Sequence, residues 1–200
     1  MLLGNLIRSV EKKYKKIDIK NICFDSRKIK KKDAFFSIKG KTTSGSNFID
    51  EAISKRASVI LSSSRIKNKK YKTPLILVKD VRKSLAEAAS KYYKTKPSNI
   101  IAVTGTNGKS SVADFFSQIL RFNNVPVASI GTLGIISKNY KKKTNLTSMD
   151  PISLHKNLQI LAKKKINNII LEASSHGLKQ KRLDNINIKT GIFTNLSHDH

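Results

Sequence analysis

The segment from Thr104 to Ser111 holds the residues whose types and spacing carry the clearest chemistry. Its sequence T-G-T-N-G-K-S-S follows the apolar run Ile100–Val103 and precedes a helical pattern at 109–122. Glycines at such a junction let successive backbone N–H groups point inward, and a helix N-terminus favours an anion. Lys109 can neutralise phosphate charge, and the Ser110 hydroxyl can ligate Mg²⁺. The segment therefore predicts a phosphate-binding loop.

This loop departs from the usual pattern G-x-x-x-x-G-K-[ST], because the first glycine of that pattern would fall at Val103. Gly105, Gly108, Lys109 and Ser110 remain in register with the preceding strand and the following helix. We therefore interpret the segment as a shortened phosphate loop. A tight turn that binds no ligand is the alternative.

A carboxylate ends the next buried strand pattern. The apolar run I-N-N-I-I-L at 166–171 is followed directly by Glu172. Open α/β sheets bind ligands at the carboxyl ends of their strands, so Glu172 is expected on the same rim as the phosphate loop. There it could hold Mg²⁺ that bridges phosphate oxygens. Taken alone, Glu172 could equally be a surface acid at a strand end.

The elements before residue 95 predict a small α/β domain. Apolar alternation and β-rich runs predict four strands, at 17–24, 34–38, 58–61 and 74–78. One predicted helix starts at the capping residue Asn47, and its inward face holds Phe48, Ile49, Ala52 and Ile53. A second helix is predicted at 81–93. The string T-K-P-S-N at 95–99 predicts a domain boundary, which we place after residue 97.

The elements beyond this boundary alternate between strand and helix. Strands are predicted at 100–103, 125–130, 168–171 and 188–194, with a hairpin around Lys138-Asn139. The helices are expected at 109–122 and 152–164, the second with Pro151 where its missing N–H costs least. This order predicts a mainly parallel α/β sheet covered on both faces, in a second domain spanning 98–200.

The charge of the chain does not by itself indicate a nucleic-acid-binding face. The formal net charge is +27 over 200 residues, but only seven of the 40 basic residues are arginine and the lysines occur in nearly every segment. Arginine reads bases and phosphates better than lysine does, and a binding face would concentrate the charge. We therefore expect no nucleic-acid partner.

The remaining composition predicts a cytosolic chain without a membrane span. No apolar run approaches the length of a transmembrane helix, and the N-terminus resembles no signal peptide. Cys23 is the single cysteine, so an intramolecular disulfide is excluded. Because it lies in the apolar run N-I-C-F, we expect a buried small side chain with no catalytic role.

Four ordered motifs resemble the Mur ligases of peptidoglycan synthesis. They are G-T-N-G-K-S-S at 105–111, L-T-S-M-D-P-I-S-L-H at 146–155, L-E-A-S-S-H-G-L-K-Q-K-R-L-D at 171–184 and G-I-F-T-N-L-S-H-D-H at 191–200. The N-terminal string from Asp25 to Gly40 resembles the first domain of that family. The similarity is greatest to the branch that extends UDP-N-acetylmuramoyl-L-alanyl-D-glutamate (UDP-MurNAc-L-Ala-D-Glu), and it runs from about Ile22 to His200.

The resemblance implies roles for particular residues. The ATP phosphates would lie on Gly105, Thr106, Asn107, Gly108, Lys109, Ser110 and Ser111. Catalysis would rest on Lys109, Glu172 and His200, with Mg²⁺ held by Ser110 and Glu172 and a second metal ion by His200. The UDP-sugar would contact Ser26, Thr42, Thr43 and Ser44. The muramoyl dipeptide would contact Thr147, Ser148, Ser174, Gln180 and Arg182, the last because its guanidinium can bind a carboxylate bidentately.

The implied activity is an ATP-dependent, ADP-forming amide ligation. ATP would phosphorylate the D-Glu carboxylate of UDP-MurNAc-L-Ala-D-Glu, and the amine of a diamino acid, meso-diaminopimelate or L-lysine, would attack the acyl phosphate. The implied fold is a small N-terminal UDP-sugar-binding domain followed by an incomplete P-loop-type ATP-binding domain. Since the family also needs a downstream lysine and a C-terminal amino-acid-binding domain, we expect a fragment that is inactive alone and monomeric when full length.

The sequence departs from the family pattern at three positions. Lys32 stands where a glycine turn is usual, Met149 where proline is common and His198 where arginine is common. Thr147, Ser148 or Asp150 could also simply cap the helix after Pro151. Three other functions stay open: a nucleic-acid-binding P-loop ATPase, a related folylpolyglutamate or cyanophycin ligase, and a non-catalytic fragment.

Overall fold

The computed structural model describes residues 1–40, 43–64, 71–144 and 146–197. The chain forms two compact units, Met1–Tyr92 and Tyr93–His200. The boundary predicted from the sequence, after residue 97, lies five residues beyond Tyr92. In the described part of the chain, no helix has the length and apolarity needed to cross a membrane.

The first unit is built on a parallel four-stranded sheet in the order β1-β2-β3-β4. Its strands are β1 (Asn21–Cys23), β2 (Asp33–Phe36), β3 (Val59–Ser62) and β4 (Leu75–Leu77). Its helices are α1 (Leu3–Leu6), α2 (Ile49–Ser54) and α3 (Val81–Tyr92), and 3-10 turns span Lys12–Tyr14, Ser26–Lys28 and Gly45–Phe48. The strand interiors are buried, with Phe35 and Phe36 fully so. Cys23 is also buried, as expected, and burial raises the pKa of its thiol.

Two details of the first unit differ from the predictions. Asn47 caps no helix, because the Ser44 hydroxyl caps the 3-10 turn Gly45–Phe48 by accepting from the Ser46 N–H. This turn takes Phe48 out of the predicted inward face, and its side chain is 38% exposed, whereas Ile49 and Ala52 are buried. The predicted strand at 17–24 is also shorter in the structure, since the Ile19 N–H bonds to the Met1 carbonyl instead.

Lys32, which the sequence analysis places where a glycine turn is usual, adopts a backbone conformation that favours glycine. Its φ is +70°, in the left-handed region of backbone conformation that residues other than glycine and asparagine rarely adopt. The Lys32 N–H donates to the Arg56 carbonyl, and the Lys32 carbonyl accepts from the Lys20 N–H at 2.7 Å. Two backbone hydrogen bonds therefore hold this turn with lysine at its left-handed position.

The second unit is an α/β sheet of six strands in the order β10-β5-β9-β6-β7-β8. The four strands β5 (Asn99–Thr104), β6 (Val127–Gly131), β9 (Asn168–Glu172) and β10 (Thr190–Phe193) run parallel. The antiparallel hairpin β7 (Gly134–Ser137) and β8 (Tyr140–Lys142) extends the sheet at one side and confirms the predicted hairpin. The helices are α4 (Lys109–Phe122), α5 (Pro151–Lys163) and α6 (Ser175–Lys179).

The two longer helices of this unit begin within one residue of their predicted starts. Helix α4 has the predicted bounds, and α5 starts at Pro151 with Asp150 as its cap, since the Asp150 carboxylate accepts from the Ser153 N–H at 2.9 Å. The Ser148 side chain, the alternative cap, makes other contacts described below. The short helix α6 and the N-terminal helix α1 were not predicted.

The two faces of the six-stranded sheet are covered to different degrees. A large cluster of buried apolar residues packs α5 against one face, with Leu154, Leu158 and Leu161 at its centre. On the face covered by α4, the buried cluster is Val103, Ala113 and Ile170. The outward stripe of α4 leaves three large apolar side chains exposed, Phe115, Ile119 and Phe122.

Candidate functional site

The predicted phosphate loop leaves the carboxyl end of β5 and enters α4 through two glycines in unusual conformations. Gly105 has φ +137° and Gly108 has φ +84°. A Cβ on Gly105 would lie 2.1 Å from the Thr194 hydroxyl oxygen, so the loop also needs glycine there for space. Strand β5 lies between β10 on one side and β9, followed by β6, on the other. Open α/β sheets bind ligands at the carboxyl ends of strands where the strand order changes direction in this way.

The N-terminus of α4 is open towards the loop. Its N-cap is Gly108, so no side chain caps the first turn. The first intrahelical bond runs from the Val112 N–H to the Gly108 carbonyl, so the preceding amides have no acceptor within the helix. The Lys109 ammonium folds back over the loop and donates to the carbonyls of Gly105 at 2.6 Å and Thr106 at 2.7 Å. A positive charge and a helix N-terminus therefore meet at one point.

Glu172 lies beside this loop with its carboxylate held on both oxygens. Oε2 accepts from the hydroxyls of Ser110 at 3.0 Å and Thr132 at 2.9 Å, and Oε1 accepts from the Thr132 N–H at 3.2 Å. The residue is only 5% exposed. Gly131 makes the approach possible, because a Cβ there would lie 2.0 Å from Oε1. The structure thus brings Ser110 and Glu172 together, as the sequence predicts.

These oxygens form a donor set suited to a hard divalent cation. Mg²⁺ prefers one or two carboxylates, hydroxyls and water or phosphate oxygens, and Glu172 with the Ser110 hydroxyl supplies the protein part of such a set. Among the described residues, no group of three His, Cys, Asp or Glu side chains could hold a metal ion on its own. His200, the predicted ligand of a second metal ion, lies outside the described residues, so its role stays a prediction.

The residues predicted to contact the dipeptide form a network next to Glu172. The buried Ser148 hydroxyl donates to the Glu172 carbonyl at 3.1 Å and accepts from the Ser174 N–H at 3.0 Å. The Arg182 guanidinium donates to the Ser148 carbonyl and, through two nitrogens, to the Gln180 amide oxygen. Thr147 contacts the Thr132 hydroxyl at 3.1 Å. All five predicted residues therefore belong to one region of the second unit.

A cleft of about 800 Å³ opens over the loop and this network. Thr147, Ser174 and His176 line it together with Glu172 and the whole loop from Gly105 to Ser111. Among the described residues predicted to contact the dipeptide, Ser148, Gln180 and Arg182 do not line this cleft; Ser148 hydrogen-bonds to Ser174, which does, and Arg182 hydrogen-bonds to Ser148 and Gln180. The loop and the side chains of Thr147 and Ser174 therefore line the same cleft.

Three residues of the site were not assigned by the sequence analysis. Thr132 holds the Glu172 carboxylate, and Thr194 and Asn195 contact the phosphate loop. Each follows the carboxyl end of a parallel strand, β6 for Thr132 and β10 for the other two. Their position at or just after the ends of predicted strands could have indicated that they belong to the site, because all four parallel strands end at the same edge of the sheet.

The first unit contains a smaller cleft at the predicted UDP-sugar residues. It measures about 460 Å³, and Ser26 and Thr43 line it together with Arg27 and Gly40. Thr42 lies outside the described residues, and the Ser44 side chain caps the adjacent 3-10 turn. The Arg27 guanidinium binds Asp25, through Nε to Oδ1 and Nη2 to Oδ2 at 2.9 Å each, and keeps the pKa of that carboxyl below its usual value.

Family models place both units in one family. The model of the Mur ligase family catalytic domain matches residues 18–93, and the model of the Mur ligase middle domain matches residues 103–200. The chain belongs to the Mur ligase family. The resemblance and the fold class inferred from the sequence are thereby confirmed.

Similar Mur ligases are longer than this chain. A UDP-N-acetylmuramoyl-L-alanyl-D-glutamate--2,6-diaminopimelate ligase of Bradyrhizobium diazoefficiens is 39% identical over 199 residues, which are 100% of this chain and 40% of that protein. The enzyme of the same name from Rickettsia montanensis is 41% identical over 188 residues, 91% of this chain and 38% of that protein. The chain thus spans about 40% of the length of the curated relatives it matches.

Solved Mur ligase structures have the same fold. A UDP-N-acetylmuramoyl-L-alanyl-D-glutamate--2,6-diaminopimelate ligase superposes with a TM-score of 0.83 at 25% identity, over 100% of this chain and 41% of that structure. A MurF ligase from Thermotoga maritima, solved in complex with ADP, gives a TM-score of 0.51 at 22% identity over 78% of this chain and 32% of that one. The second likeness concerns the fold alone.

Proposed function

We propose that this chain supplies the UDP-substrate-binding and ATP-binding parts of a ligase that joins a diamino acid to UDP-MurNAc-L-Ala-D-Glu with formation of ADP. The observation that carries the proposal is the contact between the Ser110 hydroxyl and the Glu172 carboxylate. It joins a phosphate loop and an acidic residue at the carboxyl edge of one sheet, as phosphoryl transfer from ATP requires.

The phosphate loop would bind the ATP phosphates through backbone amides and the Lys109 ammonium. The amides at the start of α4 are free of intrahelical bonds and lie at the positive end of the helix dipole. Lys109 already lies over the loop, so a small movement of its flexible side chain would bring its charge to a phosphate. The residues assigned to ATP are Gly105, Thr106, Asn107, Gly108, Lys109, Ser110 and Ser111.

Glu172 and Ser110 would hold Mg²⁺, and Thr132 would keep the Glu172 carboxylate oriented. When bound, the ion would offset the repulsion between the ATP phosphates and the carboxylate that they phosphorylate. His200 is assigned to a second metal ion through the family pattern.

The muramoyl dipeptide would occupy the part of the cleft beside Thr147 and Ser174. Thr147 contacts Thr132, which contacts Glu172, so a carboxylate bound there would lie close to the nucleotide end. Ser148, Gln180 and Arg182 would keep this wall in position, and Arg182 adds a positive charge. The protein's contribution is then placement and charge neutralisation, and no side chain needs to act as a nucleophile.

The uridine end of the substrate would bind to the first unit. Ser26 and Thr43 line the cleft there, and Thr42 and Ser44 complete the assignment from the family pattern. For the second substrate, the names of the relatives support meso-diaminopimelate over L-lysine. The amine of the diamino acid would attack the acyl phosphate formed on the D-Glu carboxylate, forming the amide and releasing inorganic phosphate.

The proposal can be tested by titrating the 200-residue chain with UDP-MurNAc-L-Ala-D-Glu and with UDP-MurNAc-L-Ala, in the presence of Mg²⁺ and a non-hydrolysable ATP analogue. We expect the dipeptide to bind about tenfold more tightly, because the D-Glu unit gives it one carboxylate more than UDP-MurNAc-L-Ala, which the second unit can bind. Arg182→Ala should abolish this difference, whereas Lys179→Ala, which removes an exposed charge from the neighbouring helix α6, should preserve it.

Two outcomes would contradict the proposal. Equal affinity for the two UDP compounds would show that the D-Glu unit is not recognised. ATP hydrolysis that rises with added polynucleotide, together with affinity that falls steeply with salt, would instead favour the nucleic-acid-dependent ATPase.

A further inference from the structure

The segment after β10 lies directly on the phosphate loop. We call residues Thr194–Ser197 the β10 strap. The Asn195 carbonyl accepts from the Thr106 N–H at 3.0 Å, and the Asn195 side-chain oxygen accepts from the Asn107 N–H at 3.0 Å. The Thr194 hydroxyl donates to the Asn107 carbonyl at 2.6 Å, and the Ser197 N–H donates to the Thr106 hydroxyl at 2.9 Å.

These contacts hold three successive peptide groups at the tip of the loop. The Asn107 N–H is held by the Asn195 side chain, the Asn107 carbonyl by the Thr194 side chain, and the Thr106 N–H by the Asn195 backbone carbonyl. Gly105 passes so close to Thr194 that any side chain at Gly105 would collide with it. The loop conformation is therefore determined by a segment that lies about 90 residues away in the sequence.

The strap also divides the loop amides into two groups. The N–H groups of Thr106 and Asn107 already have acceptors in the strap. The amides from Gly108 to Ser111 precede the first intrahelical bond of α4 and have no acceptor in the helix. A bound phosphate would therefore use the second group, and the strap would keep the first group turned away from it.

We infer that Thr194 and Asn195 are positioning residues that hold the phosphate loop in its nucleotide-binding conformation. They act through the backbone of Thr106 and Asn107 and do not themselves touch the phosphates. The inference rests on the proposed function, because it presumes that the ligand of this loop is ATP. It predicts that nucleotide affinity depends on side chains outside the loop and outside the metal-binding residues.

The test measures the affinity of the 200-residue chain for ATP with Mg²⁺, and for inorganic pyrophosphate with Mg²⁺, by calorimetry. Asn195→Ala should weaken both ligands by about tenfold, since each lost hydrogen bond leaves a loop amide free to turn. Thr194→Val should weaken both by a similar factor. Thr194→Ser retains the hydroxyl and should restore affinity to within about twofold of the wild-type chain.

A matched control separates positioning from general stability. Asn168→Ala removes side-chain hydrogen bonds to Asn99 and to the Pro126 carbonyl at the opposite edge of the same sheet. It should lower the melting temperature and leave ATP affinity unchanged. If Asn195→Ala does not fold, as judged by circular dichroism, the comparison of Thr194→Val with Thr194→Ser still decides the question.

The outcomes distinguish this inference from the proposed function. Wild-type chain that fails to bind ATP would overturn both. Wild-type chain that binds ATP, with Asn195→Ala and Thr194→Val within twofold of it, would overturn the positioning role alone. A loss of ATP affinity that Thr194→Ser fails to restore would also overturn it, because the hydroxyl would then not be the group that matters.

Discussion

Two clefts of similar size lie at opposite edges of the six-stranded sheet. The cleft at the carboxyl edge measures about 800 Å³ and contains the phosphate loop and Glu172. The cleft at the amino edge measures about 690 Å³ and is lined by three basic residues, Arg121, Lys138 and Lys164. By size and positive charge alone, either one could receive an anion.

The difference between the clefts lies in what the helices present to them. Helix α4 begins at the carboxyl-edge cleft, where its first amides have no acceptor within the helix. Helices α4 and α5 both end near the amino-edge cleft, and the C-terminal end of a helix dipole is negative. The basic side chains there have local roles. Arg121 donates to the Ser117 carbonyl of its own helix, and the Lys164 ammonium lies 5.6 Å from the centre of the Tyr140 ring.

This contrast shows why basic residues alone are a poor guide to an anion site in so basic a chain. Lysine charge is present at both edges, but oriented backbone amides and a held carboxylate are described at one edge. The clefts can therefore be distinguished by substituting matched residues in each.

The largest effect is expected from Lys109. Lys109→Ala should weaken Mg·ATP binding by about 100-fold, because a charge-assisted contact to phosphate is lost and the Gly105 and Thr106 carbonyls lose their donor. Lys164→Ala, which removes the same charge from the amino-edge cleft, should leave the affinity unchanged. Similar losses in the two variants, measured by calorimetry at one salt concentration, would mean that net charge and not the loop binds ATP.

The next effect concerns space in the loop. Gly105→Ala should destabilise the second unit by about 1 to 3 kcal/mol and weaken ATP binding, since the new Cβ would collide with Thr194 in a strained conformation. Gly191→Ala is the control, because a Cβ there meets nothing within 4 Å. Urea denaturation of both variants checks the prediction, which fails if Gly105→Ala unfolds at the wild-type midpoint.

A smaller effect is expected from the Glu172 carboxylate. Glu172→Gln keeps the shape of the side chain and should weaken ATP binding about tenfold in Mg²⁺ while leaving binding in EDTA nearly unchanged. Asp114→Asn makes the same charge change on the exposed face of α4 and should affect neither condition. Equal losses for Glu172→Gln with and without Mg²⁺ would argue against a metal-binding role.

The smallest effect at neutral pH concerns a buried group that lies away from both clefts. His155 in α5 is fully buried, and neither ring nitrogen has a hydrogen-bond partner within the described residues. Burial, with a further contribution from the Lys96 charge, lowers the pKa of His155 to about 3. The imidazole is therefore neutral in the folded protein and titrates at a higher pH in the unfolded chain.

The sign of the pH dependence follows from this shift. Between about pH 6 and pH 4 the unfolded state binds a proton at His155 and the folded state does not. As the pH falls through this range, His155 therefore lowers the free energy of unfolding by up to about 1.4 kcal/mol for each pH unit. His155→Phe should make the pH dependence of unfolding shallower across this range. His176→Phe, at an exposed position on α6, is the control, and equal slopes in both variants would refute the assignment.

The sequence was sufficient to predict the elements whose signals are local. Helix α4 has its predicted bounds because the glycine loop and the 3.6-residue apolar pattern act over a few neighbouring residues, and the hairpin follows from Lys138-Asn139. The predicted cap at Asn47 was wrong, because several polar residues in S-G-S-N compete for one turn and Ser44 caps it.

The part of the site that follows from local sequence signals was predictable. Ser110 and Glu172 each follow from a motif and a strand end, and the structure places them in contact. The contributions of Thr132 and of the β10 strap depend on which strands are neighbours in the sheet. Strand order is a tertiary property, and local periodicity does not encode the position of β10 beside β5. Hydrogen bonds between loops distant in sequence therefore required the structure.

The most direct test of the account is a titration of the wild-type chain with ATP in the presence and absence of Mg²⁺, without polynucleotide. Saturable binding of one ATP per chain, at least tenfold tighter with Mg²⁺ than in EDTA, is the predicted result. No binding at millimolar ATP, or binding that appears only when polynucleotide is added, would contradict the assignment of the carboxyl-edge cleft to ATP.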